Sequence, residues 1–369
     1  MTTVKIDDSF IDSARPVRSG EELDLPALAA FLASALPASP GGTLSVDQFP
    51  SGHSNLTYLL TWGGEELVLR RAPFGTKVKS AHDMQREHAL LAALAPHAPK
   101  VPKPLLYCDD PQVIGAPFYL MERRRGIILR GPNPKAASHL SPDSWRAVST
   151  SLVDSLAELH SLDLDAVGLR GFGHPEGYVR RQVEGWSQRY FAAKTDEVAD
   201  IEALSAWLLE HFPAYDKVST AALIHGDFKY DNVVLDPAEP THVVAILDWE
   251  MATVGDPLMD LGTTLGYWID PDDSDAHKML PFGPTALPGN LNRAQVVERY
   301  AERRGIDVPD MTFYTAFALF KIAVIAQQIY QRFVEGHTQD PRFAAMLMGV
   351  RILGQSGVRL LASAGTPAG

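Results

Sequence analysis

The sequence predicts an α+β protein built in two parts, a small antiparallel sheet followed by a larger, mostly helical part. Two observations predict this class. Short β-prone runs dominate residues 44–122, whereas long segments of helical periodicity dominate the rest of the chain. We therefore expect two domains, residues 1–122 and residues 123–369, the first opening with a lead-in and one helix over residues 1–43. A chain of 369 residues is long enough for two hydrophobic cores.

The composition is that of a soluble globular protein, and it argues against several classes of function. With 46% hydrophobic residues and a net charge of −12, the chain has little electrostatic attraction for nucleic acid or an anionic membrane. The single cysteine, Cys108, excludes an intrachain disulfide. The first residues lack the basic and apolar segments of a secretory signal, so we expect a cytoplasmic protein with no nucleic-acid or membrane partner.

The front part combines strands with two helices. Leucines and Phe31 recur at helical spacing over residues 25–36, with Pro26 in the first turn. Gly63-Gly64 is a two-residue hairpin signal between two β-prone runs. The predicted strands are residues 44–49, 55–62, 66–70 and 117–121, and a second helix is predicted over about residues 82–94.

The back part is mainly helical, with three short strands in its middle. The apolar stretch 312–326 is interrupted by Lys321 and is too short for a membrane span, so it predicts a buried helix. The predicted helices are residues 142–162, 176–193, 201–212, one from 257, 293–304, 312–334 and 342–362, and the predicted strands are residues 222–225, 233–235 and 243–247.

The most informative segment is the polar loop His225-Gly-Asp-Phe-Lys-Tyr-Asp-Asn232, which lies between two apolar strands. Asp248 follows the next strand, so two carboxylates and an amide are expected at strand ends. Phosphoryl transfer needs this set, because one carboxylate orients the acceptor hydroxyl while an amide and a second carboxylate hold Mg²⁺. The spacing from Asp227 to Asn232 matches the kinase catalytic loop, with Gly226 where protein kinases keep Arg. A single Asp or Asn in a turn is usually a cap, but the combined pattern favours catalysis.

These motifs resemble the aminoglycoside phosphotransferase and choline kinase-like family. Its hallmark is His-Gly-Asp-x-x-x-x-Asn followed by a strand and an Ile/Leu-Asp-Trp/Phe-Glu segment, present here at residues 225–232 and 246–250. The resemblance runs from about residue 49 to residue 330. It implies a bilobal protein-kinase-like fold with a small antiparallel-sheet N-lobe and a larger helical C-lobe, and a small-molecule kinase that uses ATP and Mg²⁺.

The resemblance also implies roles for individual residues of the back part. It assigns catalysis to Asp227 and Lys229, magnesium binding to Asn232 and Asp248, and support of the catalytic loop to His225 and Asp260. Asp256 before Pro257 is itself a helix N-cap signal. For Asp260, one turn later, a solvated helix carboxylate remains the alternative.

On the nucleotide side, the family often has Gly-x-Ser-Asn-x-x-Tyr, which Gly52, Ser54, Asn55 and Tyr58 satisfy. We interpret this turn as the loop that covers the phosphates, with an ordinary hairpin as the alternative. Arg70 stands where kinases place the phosphate-binding Lys, and a branch of the family shares this departure. Arginine can bind phosphate in a bidentate manner.

Further cofactor contacts are expected on the helix and the strand that follow. Glu87 on the second helix is the candidate partner of Arg70, although alone it would be a solvated helix residue. The family binds adenine through the backbone after a strand such as the one ending at Met121 and Glu122. Arg124, in the run Arg123-Arg124-Arg125, is a candidate phosphate contact, with a solvated basic turn as the alternative.

The acceptor must be inferred from the helical part. Residues 357–362 contain no acidic residue, which counts against a cationic antibiotic. The helix over residues 178–190 holds three arginines, and its Arg-Gln-Val-x-x-Trp-x-x-x-Tyr string resembles the branch fused to acyl-CoA dehydrogenases in animals. That branch implies a hydroxylated acyl acceptor, such as a hydroxyacyl-CoA or hydroxy acid, with Arg181 and Trp186 as candidate contacts. An amphipathic core helix with a hydrated basic face is the alternative.

Other classes of function stay open. An aminoglycoside, macrolide or choline-like acceptor would leave the kinase assignment intact. A pseudokinase-like binding module is disfavoured because Asp227, Asn232 and Asp248 are all present. A protein kinase is disfavoured because residues 248–260 leave no room for an activation loop. The sequence does not determine the acceptor, the choice of ATP or GTP, the oligomeric state, or whether Arg70 fully replaces Lys.

Overall fold

The computed structural model describes residues 8–36, 41–50, 55–73, 83–216, 220–338 and 340–365. The chain divides into two compact units. The first unit comprises Met1–Ile128 together with Val233–Glu250, and the second comprises Leu129–Asn232 together with Met251–Gly369.

The elements follow the alternation predicted from the sequence. In the described residues the strands are β1 (Leu44–Gln48), β2 (Leu56–Trp62), β3 (Glu65–Arg71), β4 (Pro104–Cys108), β5 (Phe118–Glu122), β6 (Ala222–Ile224), β7 (Val233–Leu235), β8 (Val243–Ile246) and β9 (Thr253–Gly255). The helices are α1 (Leu25–Ala35), α2 (Met84–Leu94), α3 (Pro111–Ile114), α4 (Pro142–His160), α5 (Tyr178–Ala193), α6 (Ala199–His211), α7 (Pro257–Tyr267), α8 (Asp275–Lys278), α9 (Arg293–Arg304), α10 (Thr312–Val334) and α11 (Met346–Ser363).

The first unit is organised around an antiparallel sheet in the order β1-β2-β3-β5-β4. Gly63 and Gly64 both have positive φ, at 56° and 87°, as the two-residue β2–β3 turn requires. Leu28 and Leu32 of α1 are fully buried in the same hydrophobic cluster as Tyr58 of β2. Asp24 caps α1 by accepting a hydrogen bond from the Ala27 amide. Helix packing therefore covers one face of the sheet.

The segment Val233–Glu250 belongs to the first unit, although the sequence prediction placed the whole chain after residue 122 in the second. Its strands β7 and β8 pair with each other. Leu235 exchanges backbone hydrogen bonds with Ile127, and the Ile246 amide donates to the carbonyl of Lys100. Because of these backbone contacts, the first unit extends to Ile128 and includes the segment Val233–Glu250.

The second unit is helical and is built around α10, which packs on α5, α6, α7 and α11. Residues Phe313–Val324 of α10 are buried on every side, as expected for a helix that is apolar all round. By length and composition α10 is the one described helix that could cross a membrane, yet 72% of its most apolar window is buried inside the protein. It is the core helix that the sequence predicts.

Strands β6 and β9 form an antiparallel pair in the second unit, with Ile224 opposite Thr253 and Ala222 opposite Gly255. Asp256 caps α7 by accepting a hydrogen bond from the Leu258 amide at 2.8 Å, and Pro257 is the first helical residue. Helix α7 lies beside the loop that follows β6, because Asp260 accepts hydrogen bonds from its first two amides.

Candidate active site

The His225–Asn232 loop turns sharply at Gly226, whose φ is +82°. A Cβ atom at this position would lie 2.9 Å from the carbonyl oxygen of Met251. Glycine is therefore required both by the backbone conformation and by the close approach of a neighbouring chain segment.

Asp260 of α7 holds the start of this loop. Its carboxylate accepts hydrogen bonds from the backbone N–H of His225 at 2.6 Å and of Gly226 at 2.8 Å. The same carboxylate contacts Nε2 of His160 at 3.0 Å, and Nδ1 of His160 lies 2.7 Å from the hydroxyl of Tyr300. Three helices thus support two consecutive peptide groups of the loop.

The charges in this buried group are set by its surroundings. Burial lowers the pKa of His160, more strongly than Asp260 raises it, so the ring is neutral near pH 7. Nε2–H of the neutral ring then donates to Asp260, and Nδ1 accepts from the Tyr300 hydroxyl. Burial acts to raise the pKa of Asp260, but hydrogen bonds from His160 and the loop amides hold it below its usual value. Asp260 is therefore an ionised, fully hydrogen-bonded carboxylate.

Lys321 supports the next peptide group of the loop. Its ammonium, on the buried side of α10, donates to the carbonyl oxygen of Gly226 at 2.6 Å. Burial lowers the pKa of Lys321, while the carboxylates of Asp227 and Asp260 act to raise it. The Gly226 residue is consequently held at its N–H by a carboxylate and at its C=O by an ammonium.

Asp227 is in contact with two other polar side chains of the loop. Nζ of Lys229 lies 2.8 Å from its Oδ2. Nδ2 of Asn232 donates to the same oxygen at 3.0 Å and to the Asp227 carbonyl at 2.8 Å. Because Asn232 uses its nitrogen in these bonds, its amide oxygen is the atom suited to a hard cation. The structure thus brings together the predicted residues Asp227, Lys229 and Asn232.

In the first unit, Arg70 of β3 is the centre of a carboxylate cluster. Its Nη2 donates to Oδ1 of Asp248 and, at 3.2 Å, to Oε2 of Glu250. Its Nε lies 3.5 Å from Glu87 of α2. Asn55, at the start of β2, donates to the same Glu250 oxygen at 2.7 Å. Arg70 is therefore joined to Asn55 through Glu250, as well as to Glu87 and Asp248.

Burial and charge oppose each other in this cluster. Burial disfavours the guanidinium of Arg70, but Glu87 and Asp248 outweigh it and raise its pKa well above the usual value. Burial likewise raises the pKa of Glu87 despite the Arg70 charge beside it. A buried cation surrounded by acidic groups stays charged and fixed in place, as a phosphate-binding group must.

Asp248 has an unusual backbone conformation. At φ +67° it is the one non-glycine residue with positive φ in the described ranges. Aspartate and asparagine tolerate this region better than other residues with a Cβ. This backbone conformation turns the chain sharply after β8, and the Asp248 carboxylate forms an ion pair with Arg70.

The other cofactor residues expected from the sequence are partly placed. Met121 and Glu122 are the last two residues of β5. Arg124 forms an ion pair with Glu122 at 2.7 Å and donates to the carbonyls of Pro99 and Val101. Gly52 and Ser54 lie outside the described residues.

The two candidate acceptor residues of α5 have different environments. Arg181 is exposed, and its guanidinium donates to the carbonyls of His174 and Glu176 in the turn before the helix. Trp186 is buried, with the guanidinium of Arg189 4.6 Å from its ring centroid and Nζ of Lys321 at 5.8 Å. Lys321 thus contacts both the Trp186 ring and the His225–Asn232 loop, whereas Arg181 contacts the turn before its own helix.

Sequence reasoning did not identify His160, Tyr300, Lys321 or Tyr267, which also contacts the loop. Each lies on a helix, and the apolar pattern of that helix gives no sign that the residue differs from an ordinary core or surface residue. The signal for Lys321 was its interruption of an otherwise apolar run, because a buried charge requires a partner.

Comparison with known proteins gives the context of this site. The model of the phosphotransferase enzyme family matches residues 45–310. The chain is 35% identical over 357 residues to acyl-CoA dehydrogenase family member 11 of Gallus gallus, covering 93% of this chain and 44% of that protein. It therefore spans less than half the length of this relative.

Two solved structures extend the comparison. A protein of Ralstonia eutropha named as a candidate aminoglycoside phosphotransferase has a TM-score of 0.77 at 30% identity, covering 93% of this chain and 99% of its own. A ternary complex of an aminoglycoside phosphotransferase with AMP-PNP and hygromycin B has a TM-score of 0.56 at 18% identity, with 90% and 99% coverage. The second likeness concerns the fold alone.

Proposed function

Because this chain belongs to the phosphotransferase enzyme family and is a small-molecule kinase, we propose that the hydroxyl compound it phosphorylates is anionic, a hydroxyacyl-CoA or a hydroxy acid. ATP and Mg²⁺ are its cofactors. The bilobal kinase-like fold predicted from the sequence is the observed one. The class of reaction is therefore established at the family level, and the proposal concerns the roles of single residues and the acceptor.

We assign to Asp227 the orientation and deprotonation of the acceptor hydroxyl. Its Oδ2 lies at the meeting point of Lys229 and Asn232, which fix the carboxylate in one orientation. A positioned carboxylate lowers the barrier by holding the attacking oxygen in line with the phosphoryl group. The ammonium of Lys229, next to this carboxylate, is suited to charge that develops on the transferred group.

The magnesium site is assigned to Asn232 and Asp248. Both supply oxygen donors, which Mg²⁺ prefers, and Mg²⁺ is commonly held by one or two carboxylates together with substrate phosphates. When bound, the ion neutralises charge on the nucleotide phosphates. We assign to Arg70 the binding of the nucleotide phosphates that the ion does not contact. The assignment follows from its position beside Asp248 and Glu87, and near Asn55.

The observation that carries the anionic-acceptor proposal is the pair of cations on Trp186. Arg189 and Lys321 both lie against this ring, and in the described residues neither has a carboxylate within 4.0 Å. Lys321 also touches the residue before the catalytic Asp227. Several other arginines of the second unit form ion pairs, for example Arg299 with Asp154 at 2.7 Å. Cations without a protein counter-ion beside the reaction centre favour a substrate that brings its own negative charge.

The name of the chicken relative agrees with this proposal. Acyl-CoA dehydrogenases act on acyl-CoA thioesters, and this chain matches a region covering 44% of that protein. A kinase and an acyl-CoA enzyme joined in one chain favour a shared acyl substrate. Hydroxylation of the acyl chain would supply the acceptor oxygen for phosphoryl transfer.

The test is acceptor-dependent ADP release by the purified protein with a panel of hydroxyacyl-CoAs, hydroxy acids, choline, kanamycin and a macrolide. We expect the highest kcat/KM with a member of the first two groups. We also expect KM to rise with salt, because exposed charges are screened over about 8–10 Å. Salt-insensitive, saturable phosphorylation of kanamycin with no turnover of hydroxy acids would overturn the acceptor assignment and leave the kinase assignment intact.

Matched arginine variants localise the acceptor charge. Arg189→Gln should raise KM for the anionic acceptor with little change in kcat, the result of losing binding that is uniform in the ground and transition states. Arg181→Gln is the control on the same helix, because its guanidinium donates to the carbonyls of His174 and Glu176 in the preceding turn. Equal effects of the two changes would contradict the assignment to Arg189 and favour a diffuse basic surface.

A further inference from the structure

One face of α7 contacts the catalytic loop at several points along its length. Asp260, Thr264 and Tyr267 are spaced i, i+4 and i+7, so they lie on the same side of the helix. Asp260 accepts from the N–H groups at the start of the loop, and the Thr264 hydroxyl donates to the carbonyl of Phe228 at 3.0 Å. Successive turns of the helix thus hold successive parts of the loop.

Tyr267, the last residue of α7, contacts Lys229 of the loop. Nζ of Lys229 lies 4.5 Å from the centroid of its ring, within the range of a cation–π interaction. The same ammonium is paired with Asp227, whose Oδ2 lies 2.8 Å from Nζ of Lys229. On the other side, Phe282 packs edge-on against the ring with centroids 5.2 Å apart. The ring is therefore fixed between Phe282 and the catalytic pair.

The charges of the groups around this ring favour the contact. Burial, and then the neighbouring Asp227 carboxylate, raise the pKa of the Tyr267 hydroxyl, so the side chain stays neutral. Burial acts to lower the pKa of Lys229, but the adjacent Asp227 carboxylate acts to raise it, and the ammonium keeps its charge. A neutral aromatic ring beside an ammonium is the arrangement of a cation–π interaction.

We propose that Tyr267 is a positioning residue for phosphoryl transfer, which holds the Lys229 ammonium and the Asp227 carboxylate in their productive orientation. The proposal rests on the proposed function, in which Asp227 orients the acceptor hydroxyl. Without Tyr267, Lys229 keeps a flexible four-carbon stem with many rotamers, so its ammonium is held less firmly beside Asp227. The role belongs to the chemical step and is independent of which hydroxyl compound is bound.

Two substitutions separate the contributions of the ring and the hydroxyl. Tyr267→Phe keeps the ring under Lys229 and removes the polar hydroxyl, and we expect kcat to fall by about fivefold or less. Tyr267→Leu removes both, and we expect kcat to fall about a hundredfold. Nucleotide affinity should stay within about twofold in both, because the contacts are with the catalytic pair. Thr263→Val is the control on the same helix, since the Thr263 hydroxyl donates to the Met259 carbonyl of α7 itself.

A double-mutant comparison tests whether Tyr267 acts through Lys229. If it does, the loss in Lys229→Met/Tyr267→Leu should be at least about fivefold smaller than the product of the two single losses. A loss equal to that product would overturn the positioning role, because the residues would act independently. A melting temperature is measured for each variant, and the well-folded Tyr267→Phe decides the question if Tyr267→Leu does not fold.

The failure of this inference is distinguishable from failure of the proposed function. If Asp227→Asn abolishes turnover while Tyr267→Phe and Tyr267→Leu stay within twofold of the wild type, Tyr267 has no positioning role and the proposed function stands. If Asp227→Asn retains full turnover, the proposed function fails and the inference fails with it.

Discussion

The ammonium of Lys321 lies 2.6 Å from the carbonyl oxygen of Gly226, the residue immediately before Asp227. Asp260 accepts a hydrogen bond from the N–H of the same glycine at 2.8 Å. Two buried, oppositely charged side chains from different helices therefore hold one residue of the loop. The position of Asp227 therefore depends on side chains of two helices outside its own loop.

Gly226→Ala should strongly reduce both stability and turnover. A side chain at φ +82° costs about 1–2 kcal/mol, and its Cβ would also lie 2.9 Å from the Met251 carbonyl oxygen. Thermal unfolding and ADP release measure the two effects. Gly185→Ala is the control, because this helical glycine has open space around it and alanine is expected to stabilise the helix by about 0.4–1 kcal/mol. Equal melting temperatures for the two variants would contradict the close approach at Gly226.

Asp248→Asn and Asp248→Ala should both require at least about tenfold more Mg²⁺ for half-maximal activity, because each removes a carboxylate ligand. Asparagine tolerates the φ of +67° at this position better than alanine does, so Asp248→Ala should also melt at a lower temperature. Asp236→Asn is the control, since Asp236 accepts a hydrogen bond from Ala238 within its own turn. Undiminished activity of Asp248→Ala at limiting Mg²⁺ would remove Asp248 from the metal site.

Arg70→Lys should raise the KM for ATP by about tenfold, because lysine is a single point charge and cannot span Glu87 and Asp248 together. Arg70→Met should be worse, because it leaves the surrounding carboxylates without a cation. Arg125→Lys, an exposed arginine of the same unit that lies 3.4 Å from Glu66, serves as the control. If Arg70→Lys is as active as the wild type at low ATP, bidentate binding has no part in nucleotide recognition.

The stability of the protein should fall as the pH decreases through about 6.5. The pKa of His160 is lowered in the folded state from its ordinary value of 6.5, so near that pH the unfolded chain takes up a proton that the folded protein does not. His160→Gln should reduce this loss between pH 8 and pH 5, because glutamine does not titrate. A residual slope is expected from His88 and His277, whose pKa values burial also lowers. Unfolding free energies of wild type and variant with identical pH slopes would contradict a neutral His160.

Several helix ends could be predicted from the sequence because local signals determine them. Arg293–Arg304 was predicted to the residue, and the structure shows an Asn292–Gln295 capping box at its start and Gly305 in the left-handed conformation at its end. The predicted bounds of Thr312–Val334 also agree with α10. Such signals act within a few residues, so they can be recognised without the tertiary structure.

The elements that sequence reasoning missed depend on distant partners. Strand β4 begins at Pro104 and lies at the sheet edge, where a missing N–H is tolerated but the sequence looks like a loop. Strand β9 has only three residues, and its pairing partner β6 is about thirty residues away in the chain. The return of Val233–Glu250 to the first unit likewise depends on contacts with Ile127 and Lys100 that no local pattern encodes.

The same distinction applies to the site. Asp227, Lys229 and Asn232 lie within one motif, and the structure brings them into contact. The supporting groups His160 and Lys321 come from α4 and α10, and only the tertiary structure reveals that they converge on the loop. Sequence patterns therefore identify the residues of the reaction more readily than those that position them.

The most direct test of the central claim compares wild type with Asp227→Asn while the phosphorylated product is followed by ³¹P NMR, with ATP, Mg²⁺ and a hydroxyacyl-CoA or hydroxy acid as acceptor. The wild type should form a phosphate monoester on the acceptor hydroxyl. In Asp227→Asn the rate should fall by about a hundredfold or more, the contribution of a positioned general base, while ATP affinity stays within a few-fold. Formation of the ester by Asp227→Asn at the wild-type rate would contradict the assignment of Asp227 as the base.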